Sequence, residues 1–537
     1  MGNFTHHFKN ALNNIIKNGD TDIFPYPIDN IFFYEKNDIA ASLLEEIHKD
    51  FDNQIIKNPI QQSRALQAVG YYGYRWGTQI DPIWNCYFLA LVLSIANDIE
   101  KARIETSKNI VFSYRFKLDK ETGKLFDNAY NWKSYSEASI EKSERSKYVL
   151  KCDISDFYPR VYHHRIENAL QKATNNTSVV QRIMVILGKL SKGASYGLPV
   201  GGPASRILSE LLLNRVDKLL IMEGISFCRY ADDYLIFADS EEDAYGSLIT
   251  LSEKLHENEG LSIQKTKTQI MTSEEFRATS EFAPKTNETH QKSDQQELDF
   301  LKLKLFYDPY SPTANDDYDS LKEELGKFDI IGMLGSEINK NRINQALTRR
   351  LISSVRHLSD TLLQTAVISL IENLQVLYPV FPSVMILIKS TLDRLSDETK
   401  DFVFKNLRLL ISSNSYITRI PVNLGYSLRV LAYDTSDEAD ALLGKIFKEQ
   451  ENIAIKRDTI LAMAQRNADY WISDRIKHYN SMTPWEQHSL LLGSFILGDE
   501  GSHWRDKVKK ELNSYEKAQL DWFSERFQKN KGWGKLL

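Results

Sequence analysis

The stretch "FCRYADDYLIFADS", residues 227–240, sets two adjacent carboxylates, Asp232 and Asp233, between two runs of aromatic and apolar residues. Phe227 and Arg229 alternate on one side of the pair and Leu235 and Phe237 on the other, which predicts a β-hairpin with the acids at or beside its turn. Asp is common in solvated turns, and an isolated pair would need no other explanation. This pair has company. "YVLKCDISDFYPRV" (148–161) predicts a second apolar strand that runs into Asp153, with helical "HHRIENALQKA" after it. Two strands that bring three carboxylates to one place repel each other unless cations sit among the acids. Mg2+ suits such a site, since it prefers oxygen ligands, takes one or two protein carboxylates per ion and completes its shell with substrate phosphates and water; Mn2+ is the other candidate. Two ions about 4 Å apart clamp the attacking and leaving oxygens of an in-line displacement at phosphorus, which is nucleotidyl transfer. Asp153 and Asp232 would bridge the ions and Asp233 would support them.

The rest of the chain bounds that reading. At about 150 residues per domain, 537 residues suggest two to four units. With 42% hydrophobic and 26% charged residues the composition is that of a soluble globular protein. The start, "MGNFTHHFKN", has no cleavable apolar stretch, and His6 stands where a myristoylation signal has Ser or Thr. Apolar runs such as "YFLALVLSIA" (87–96) fall short of the roughly 18 residues that cross a bilayer, so a cytoplasmic protein with no membrane partner is expected. Cys86, Cys152 and Cys228 are too few and too scattered for a disulfide framework or a zinc cluster, and Cys152 and Cys228 read as small buried hydrophobes. A net charge of −5 argues against non-specific coating of nucleic acid, so any such contact needs a local patch.

From residue 61 to about 310, helical patterns mix with β-rich runs: "KNIVFSYRFKL", "SKYVLKCDI", "FCRYADDYLIFA" and "LDFLKLKLF", an α+β domain after an N-terminal extension of residues 1–60. Residues 272–297 are polar and predict an exposed loop, and "DPYSPTANDDYDS" (308–320) predicts a domain boundary. Beyond it, from 320 to 537, nearly every segment is helical, as where Val367, Leu370, Ile371, Leu374 and Leu377 share one face. Stacked helical hairpins and a compact bundle both fit that periodicity.

In ordered blocks the chain resembles reverse transcriptases. "DISDFY" is similar to their first catalytic block, "GLPVGGPASRILSELL" (197–212) to the second and "YADD" (230–233) to the third; "GLSIQKTKTQI" (260–270) looks like the fourth, "LDFLKLKL" (298–305) like the primer-gripping hairpin and "IVFSYRF" (110–116) like the block whose Arg meets the incoming triphosphate. The resemblance implies a right-hand polymerase fold, with fingers and palm, followed by an all-α, helical-repeat-like domain. It implies metal ligation by Asp153, the Ile154 backbone, Asp232 and Asp233, and nucleotide binding by Ile154, Ser155, Asp156, Phe157 and Tyr158. Backbone N–H groups of Ile154 to Asp156 can cradle a triphosphate. Tyr158 sits at the steric-gate position that favours deoxynucleotides, and ordinary core packing is its competing reading. Arg115 would neutralise the triphosphate with its planar fork. Lys267 would protonate the pyrophosphate leaving group, with an exposed strand lysine as the alternative. Gly197 and Gly201 fit close approach of backbone to template or nucleotide, and the resemblance implies that Pro199 and Val200 belong to the same substrate-binding segment.

The second block departs from the family at Val200, where a Gln that contacts the nucleotide is usual; losing that amide suggests altered templating or processivity. The form "PVGGPASR", a wholly helical C-terminal half and, more loosely, "GDTDIFPYPIDNIFF" (19–33) resemble the abortive-infection and defence-associated bacterial enzymes, with no "VTG" triplet of the retron kind and no Cys/His endonuclease cluster. That resemblance implies anti-phage defence, dNTPs, an RNA template or single-stranded DNA product, a non-coding RNA, homo-oligomers, and in some members untemplated or protein-primed synthesis; no particular tyrosine is marked as a primer.

Two further patterns have two readings each. "KNRINQALTRRLISSVRH" (340–357), with Lys340, Arg342, Arg349, Arg350, Arg356 and His357 and no acid, is a phosphate-tracking helix or a solvated basic face. "YYGYRWG" (71–77) is a base-stacking cluster or core. His163 and His164 read as a helix start rather than as ligands. An inert scaffold that binds a phage or host protein is the competing function of a different class, and the retained acids argue against it.

Overall fold

The computed structural model describes residues 4–279, 300, 325–326 and 328–529, except Asp22, Ile23 and Pro25. The primer-grip hairpin expected at 298–305, apart from Phe300, the expected boundary at 308–320 and most of the expected 272–297 loop lie outside them. Within that last segment, Ser273–Thr279 is a helix.

Two compact units form, Met1–Gln62 with Thr78–Lys285, and Ser63–Gly77 with Thr286–Leu537. The N-terminal segment therefore belongs to the first unit, where helix Thr5–Asn18 packs on helix Pro82–Ala102. That second helix is long and apolar enough to cross a membrane, and most of it is buried within the unit.

Strands β1 (Gln62–Ala68) and β2 (Tyr74–Ile80) pair as a hairpin. The remaining strands, β3 (Tyr148–Asp153), β4 (Ser226–Tyr230), β5 (Asp233–Ala238) and β6 (Gln269–Thr272), form one antiparallel sheet in the order β4-β5-β3-β6. Cys228, Leu235, Phe237 and Val149 pack with Phe112 and Tyr135 on one face. Helices Pro203–Met222 and Glu241–Glu259 pack together, the second of them on β3 and β5. Cover on both sides explains why β5 reads as a nearly unbroken apolar run.

The strand expected at 108–118 does not form; only single bridges occur there, Val111 with Arg229 and Phe116 with Phe126. Asn109 and Tyr114 take left-handed backbone, with φ of 50° and 46°, and each breaks the extended run.

In the second unit, helices Gln345–Val355, Phe381–Thr391, Pro421–Leu431, Ile453–Gln465 and Pro484–Gly493 pack each on the next, and the intervening Asp360–Glu372, Asp397–Ser412 and Asp437–Glu449 do likewise. Charge pairs are buried between them, including Arg429 Nε to Asp458 Oδ2 at 2.9 Å.

Candidate active site

The sheet register decides where the acids go. On β3 and β5, Asp153 stands directly opposite Asp233, while Tyr230 opposite Asp233 leaves Ala231 and Asp232 as the turn between β4 and β5. Carboxylate oxygens of Asp153, Asp232 and Asp233 all lie within 4.8 Å of one another. Like charges facing across strands destabilise a sheet. Burial first, then the neighbouring charge of Asp153, pushes Asp232 up to about 7 and Asp233 up to about 6. Lys267 answers part of that charge, its Nζ lying 2.6 Å from Asp153 Oδ2, and the bond holds the ammonium above the usual lysine range. Three hard oxygen donors partly withheld from water, with the Lys267 ammonium bonded to Asp153 alone, are a donor set short of positive charge, and divalent cations fit it.

The turn is strained and braced. Ala231 is left-handed, φ 53°, a conformation that costs an L-residue about 1 kcal/mol. Arg229 Nη1 donates to the Ala231 carbonyl at 2.8 Å. The same fully buried guanidinium bonds Asp217 (Nη2 to Oδ2, 2.6 Å) and Glu210 (Nη2 to Oε2, 3.0 Å) on helix Pro203–Met222. Arg103, Ser113 and Tyr234 complete the network by donating to Glu210 or Asp217. Sequence reasoning missed this layer. Its signal was present: Glu210, Asn214 and Asp217 recur at helical spacing among the leucines and valine of helix Pro203–Met222.

Several predicted residues are placed differently from expectation. The N–H of Ile154 donates to Asp232 O at 3.1 Å and that of Ser155 to Ser262 O at 2.8 Å, so these two amides tie the acid loops together and are not free to cradle a triphosphate. That leaves the amide of Asp156, whose backbone is left-handed with φ 47°. Phe157 is buried, and Tyr158 beside it accepts a bond from Ser209 Oγ at 3.4 Å. The "GLPVGG" segment is strapped along this turn: Gly197 N donates to Val161 O, Leu198 N to Tyr158 O, and Thr78 N donates to Val200 O at 2.9 Å. Gly197 and Gly201 have φ of 101° and 128°, so these glycines serve backbone geometry; Pro199 is buried. His163 holds the strap through Gly197 O at 2.8 Å.

Arg115 is not brought to the acids. Its side chain is buried, with Nε 2.8 Å from Glu100 Oε1 and Nη2 donating to Ile104 O at 2.7 Å, because the left-handed turn at Tyr114 directs it inward. Burial lowers its pKa to about 10. A residue the sequence did not single out, Arg206, has its guanidinium 5.4 Å over the Tyr114 ring, a phenol that feels both Arg206 and Asp232.

The family model for reverse transcriptase (RNA-dependent DNA polymerase) matches residues 89–305. The chain carries a reverse transcriptase domain. That domain is of the RNA-directed DNA polymerase class, a nucleotidyltransferase, and it contains the acid cluster. Among curated proteins the chain is similar to Protein YkfC of Escherichia coli (strain K12), 24% identical over 135 residues, or 17% of this chain and 34% of that protein. It is also similar to Retron Mx65 reverse transcriptase of Myxococcus xanthus, 27% identical over 139 residues, or 23% of this chain and 32% of that protein. The chain spans about a third of the length of these relatives. Among solved structures it is similar to telomerase from Candida albicans in complex with a TWJ fragment of telomeric RNA, at 11% identity, 76% of this chain, 68% of that chain and a TM-score of 0.31. Apo telomerase from Candida tropicalis gives 11%, 76%, 73% and 0.29. Overlap at that level carries no argument about the fold, and the family match stands on residues 89–305.

Proposed function

We propose that this chain is a reverse-transcriptase-type DNA polymerase that joins deoxynucleotides at Asp153, Asp232 and Asp233 and acts in anti-phage defence. The observation that carries the reading is the convergence of three carboxylates from neighbouring strands, within 4.8 Å, inside the segment that matches the reverse transcriptase family. Two Mg2+ ions, or Mn2+, held by Asp153, Asp232 and the Ile154 backbone with Asp233 in support, would activate the attacking 3′-hydroxyl and neutralise the triphosphate. The chain's own groups orient and move protons. Lys267, kept protonated by its bond to Asp153, gives a proton to the leaving pyrophosphate. The Asp156 amide and the Arg206 guanidinium bind triphosphate oxygens, the latter in the part that the sequence suggested for Arg115. Tyr158, braced by Ser209, crowds the ribose 2′-position.

The partners in this reading are dNTPs, an RNA template and the single-stranded DNA product, with a non-coding RNA and further copies of the chain in the working assembly. Alternate helices that pack in succession support a HEAT-like repeat for residues 320–537. The defence role rests on "PVGGPASR" and that helical half. Val200 favours a second reading, template-independent or protein-primed nucleotidyl transfer, because its position offers no side-chain amide and its carbonyl is already engaged by Thr78.

Purified protein incubated with Mg2+ and each dNTP, with and without nuclease treatment, tests both. Polymer that forms only when RNA is retained supports templating, and polymer that persists after nuclease supports the second reading. Incorporation by an Asp232→Asn, Asp233→Asn chain at the parental rate would sink the proposal.

A further inference from the structure

The structure brings together two segments that lie about 270 residues apart in the sequence and that neither the acid cluster nor its loops use. Both belong to the second unit: the hairpin tip Ser63–Gly77 and the basic segment 340–357. Val69 N donates to Gly73 O at 2.8 Å to close the tip, and a Cβ on Gly73 would lie 2.8 Å from Val69 O, so the turn requires glycine there. Tyr71 then anchors the tip, its hydroxyl donating to Val376 O at 2.7 Å and accepting from Ile343 N at 3.2 Å.

With the tip fixed, its other rings turn outward. Tyr72 is 82% exposed, Trp76 56% and Tyr74 53%. Core packing, the ordinary fate of such a cluster, is therefore not theirs. Arg342 lies 5.1 Å over the Tyr72 ring. Arg64, Arg75 and Arg349 are exposed, and the charge of Arg75 reaches Arg349. Tyr416, itself half exposed, extends the aromatic row beside Tyr74. Neither segment brings an acid: none occurs in 63–77 or in 338–357, and Glu337 is buried against Lys340, Asn344 and Thr348.

Exposed rings whose faces any base can stack on, interleaved with arginines that neutralise phosphate, are the chemistry of single-strand recognition without sequence preference. We propose that Tyr72, Tyr74 and Trp76, with Arg75, Arg342 and Arg349, bind single-stranded nucleic acid as a surface of the second unit, distinct from the acid cluster. The net charge of −5 makes the local concentration of arginine the more specific signal, since the chain as a whole repels a polyanion. This inference does not depend on whether the acids polymerise.

The test uses the full chain carrying Asp232→Asn and Asp233→Asn, without divalent metal. Fluorescence anisotropy with labelled 20-nucleotide oligo-dT and oligo-U, in separate arms, compares it with the same chain also carrying Tyr72→Ala and Trp76→Ala. Loss of two stacked bases is expected to weaken binding roughly 20-fold or more. Arg75→Gln with Arg342→Gln should flatten the salt dependence by about 0.7 log unit per arginine. Tyr72→Trp should retain binding, which a merely structural role for the phenol would not predict. Photocrosslinking with iodouridine-substituted oligonucleotides should label the peptide 63–77. If both arms bind the ring-less chain within twofold of its parent and crosslinks fall only within 78–285, the surface does not bind nucleic acid and a protein partner takes its place. A preference of oligo-U over oligo-dT would identify the template rather than the product as occupant; the reverse would identify the product.

Discussion

At the scale of residues, the chemistry turns on acids that fold in an unfavourable electrostatic state. Asp232 and Asp233 have pKa values raised to about 7 and about 6, by burial and then by Asp153, above the ordinary value near 4. Through these two groups the native, metal-free chain binds more protons than the unfolded chain between about pH 4 and 7, so their contribution to stability falls as pH rises through that window. Asp232→Asn removes the largest contributor. Thermal melts of the metal-free chain from pH 5 to 8 should show the variant gaining on the parent as pH rises, with the higher melting temperature at pH 8. Protons and divalent ions compete for the same oxygens, so Mn2+ affinity, read from the free-ion electron paramagnetic resonance signal, should rise from pH 5.5 to 8. Lys267 lowers the pKa of both acids. Lys267→Gln should shift the pH midpoint of Mn2+ binding upward, and an unchanged midpoint would show that the 2.6 Å bond to Asp153 has no part in setting the site's charge.

At the scale of elements, the hairpin that carries the acids is held by a side chain two residues before its strained position. Arg229 is fully buried, and it satisfies Asp217, Glu210 and the Ala231 carbonyl together. Arg229→Met would leave two carboxylates buried and undercompensated, a loss of about 3–5 kcal/mol. Denaturant unfolding should show that loss. Ala231→Gly relaxes the left-handed residue and should be neutral or gain up to about 1 kcal/mol while dNTP incorporation continues. The strands at 148–153 and 233–238 were legible because their apolar runs end on acids, and a hairpin with the acids at or beside its turn followed from the alternation on either side of them. Residues 108–118 misled for a definite reason. β-branched and aromatic residues favour extended backbone, and nothing local announces that Asn109 and Tyr114 will turn left-handed or that Arg115 will be drawn to Glu100. Nor does anything local announce that the amides of Ile154 and Ser155 are taken by cross-loop carbonyls, those of Asp232 and Ser262. Non-local pairing decides such groups, and one-dimensional pattern does not record it.

At the scale of the whole molecule, the helical half was legible as helix from its periodicity, while the order in which its helices stack was not, since alternate helices bury similar faces whether they wind as hairpins or gather as a bundle. What the stack contains is clearer from its buried charges. Asp458, on helix Ile453–Gln465, accepts from Arg429 Nε at 2.9 Å and Arg457 Nε at 2.8 Å, and the two guanidiniums lie over the rings of Tyr426 and Trp485. The positive neighbours outweigh burial and hold the Asp458 carboxyl below its usual range. A depressed acid contributes stability that is present above its unfolded pKa near 4 and is lost only as pH falls below it, the opposite sign to Asp232. Asp458→Ala removes that carboxylate and leaves two buried cations facing each other, which should cost about 3–5 kcal/mol. Because stacked helices share stability mainly with their neighbours, the loss should be local. Hydrogen exchange at neutral pH is expected to show faster exchange in Pro421–Leu431 and Ile453–Gln465, while β3 and β5 in the first unit keep their protection. Equal loss of protection in both units would mean that the chain opens as one cooperative body, and the acid cluster would then owe its geometry to the helical half as much as to its own sheet.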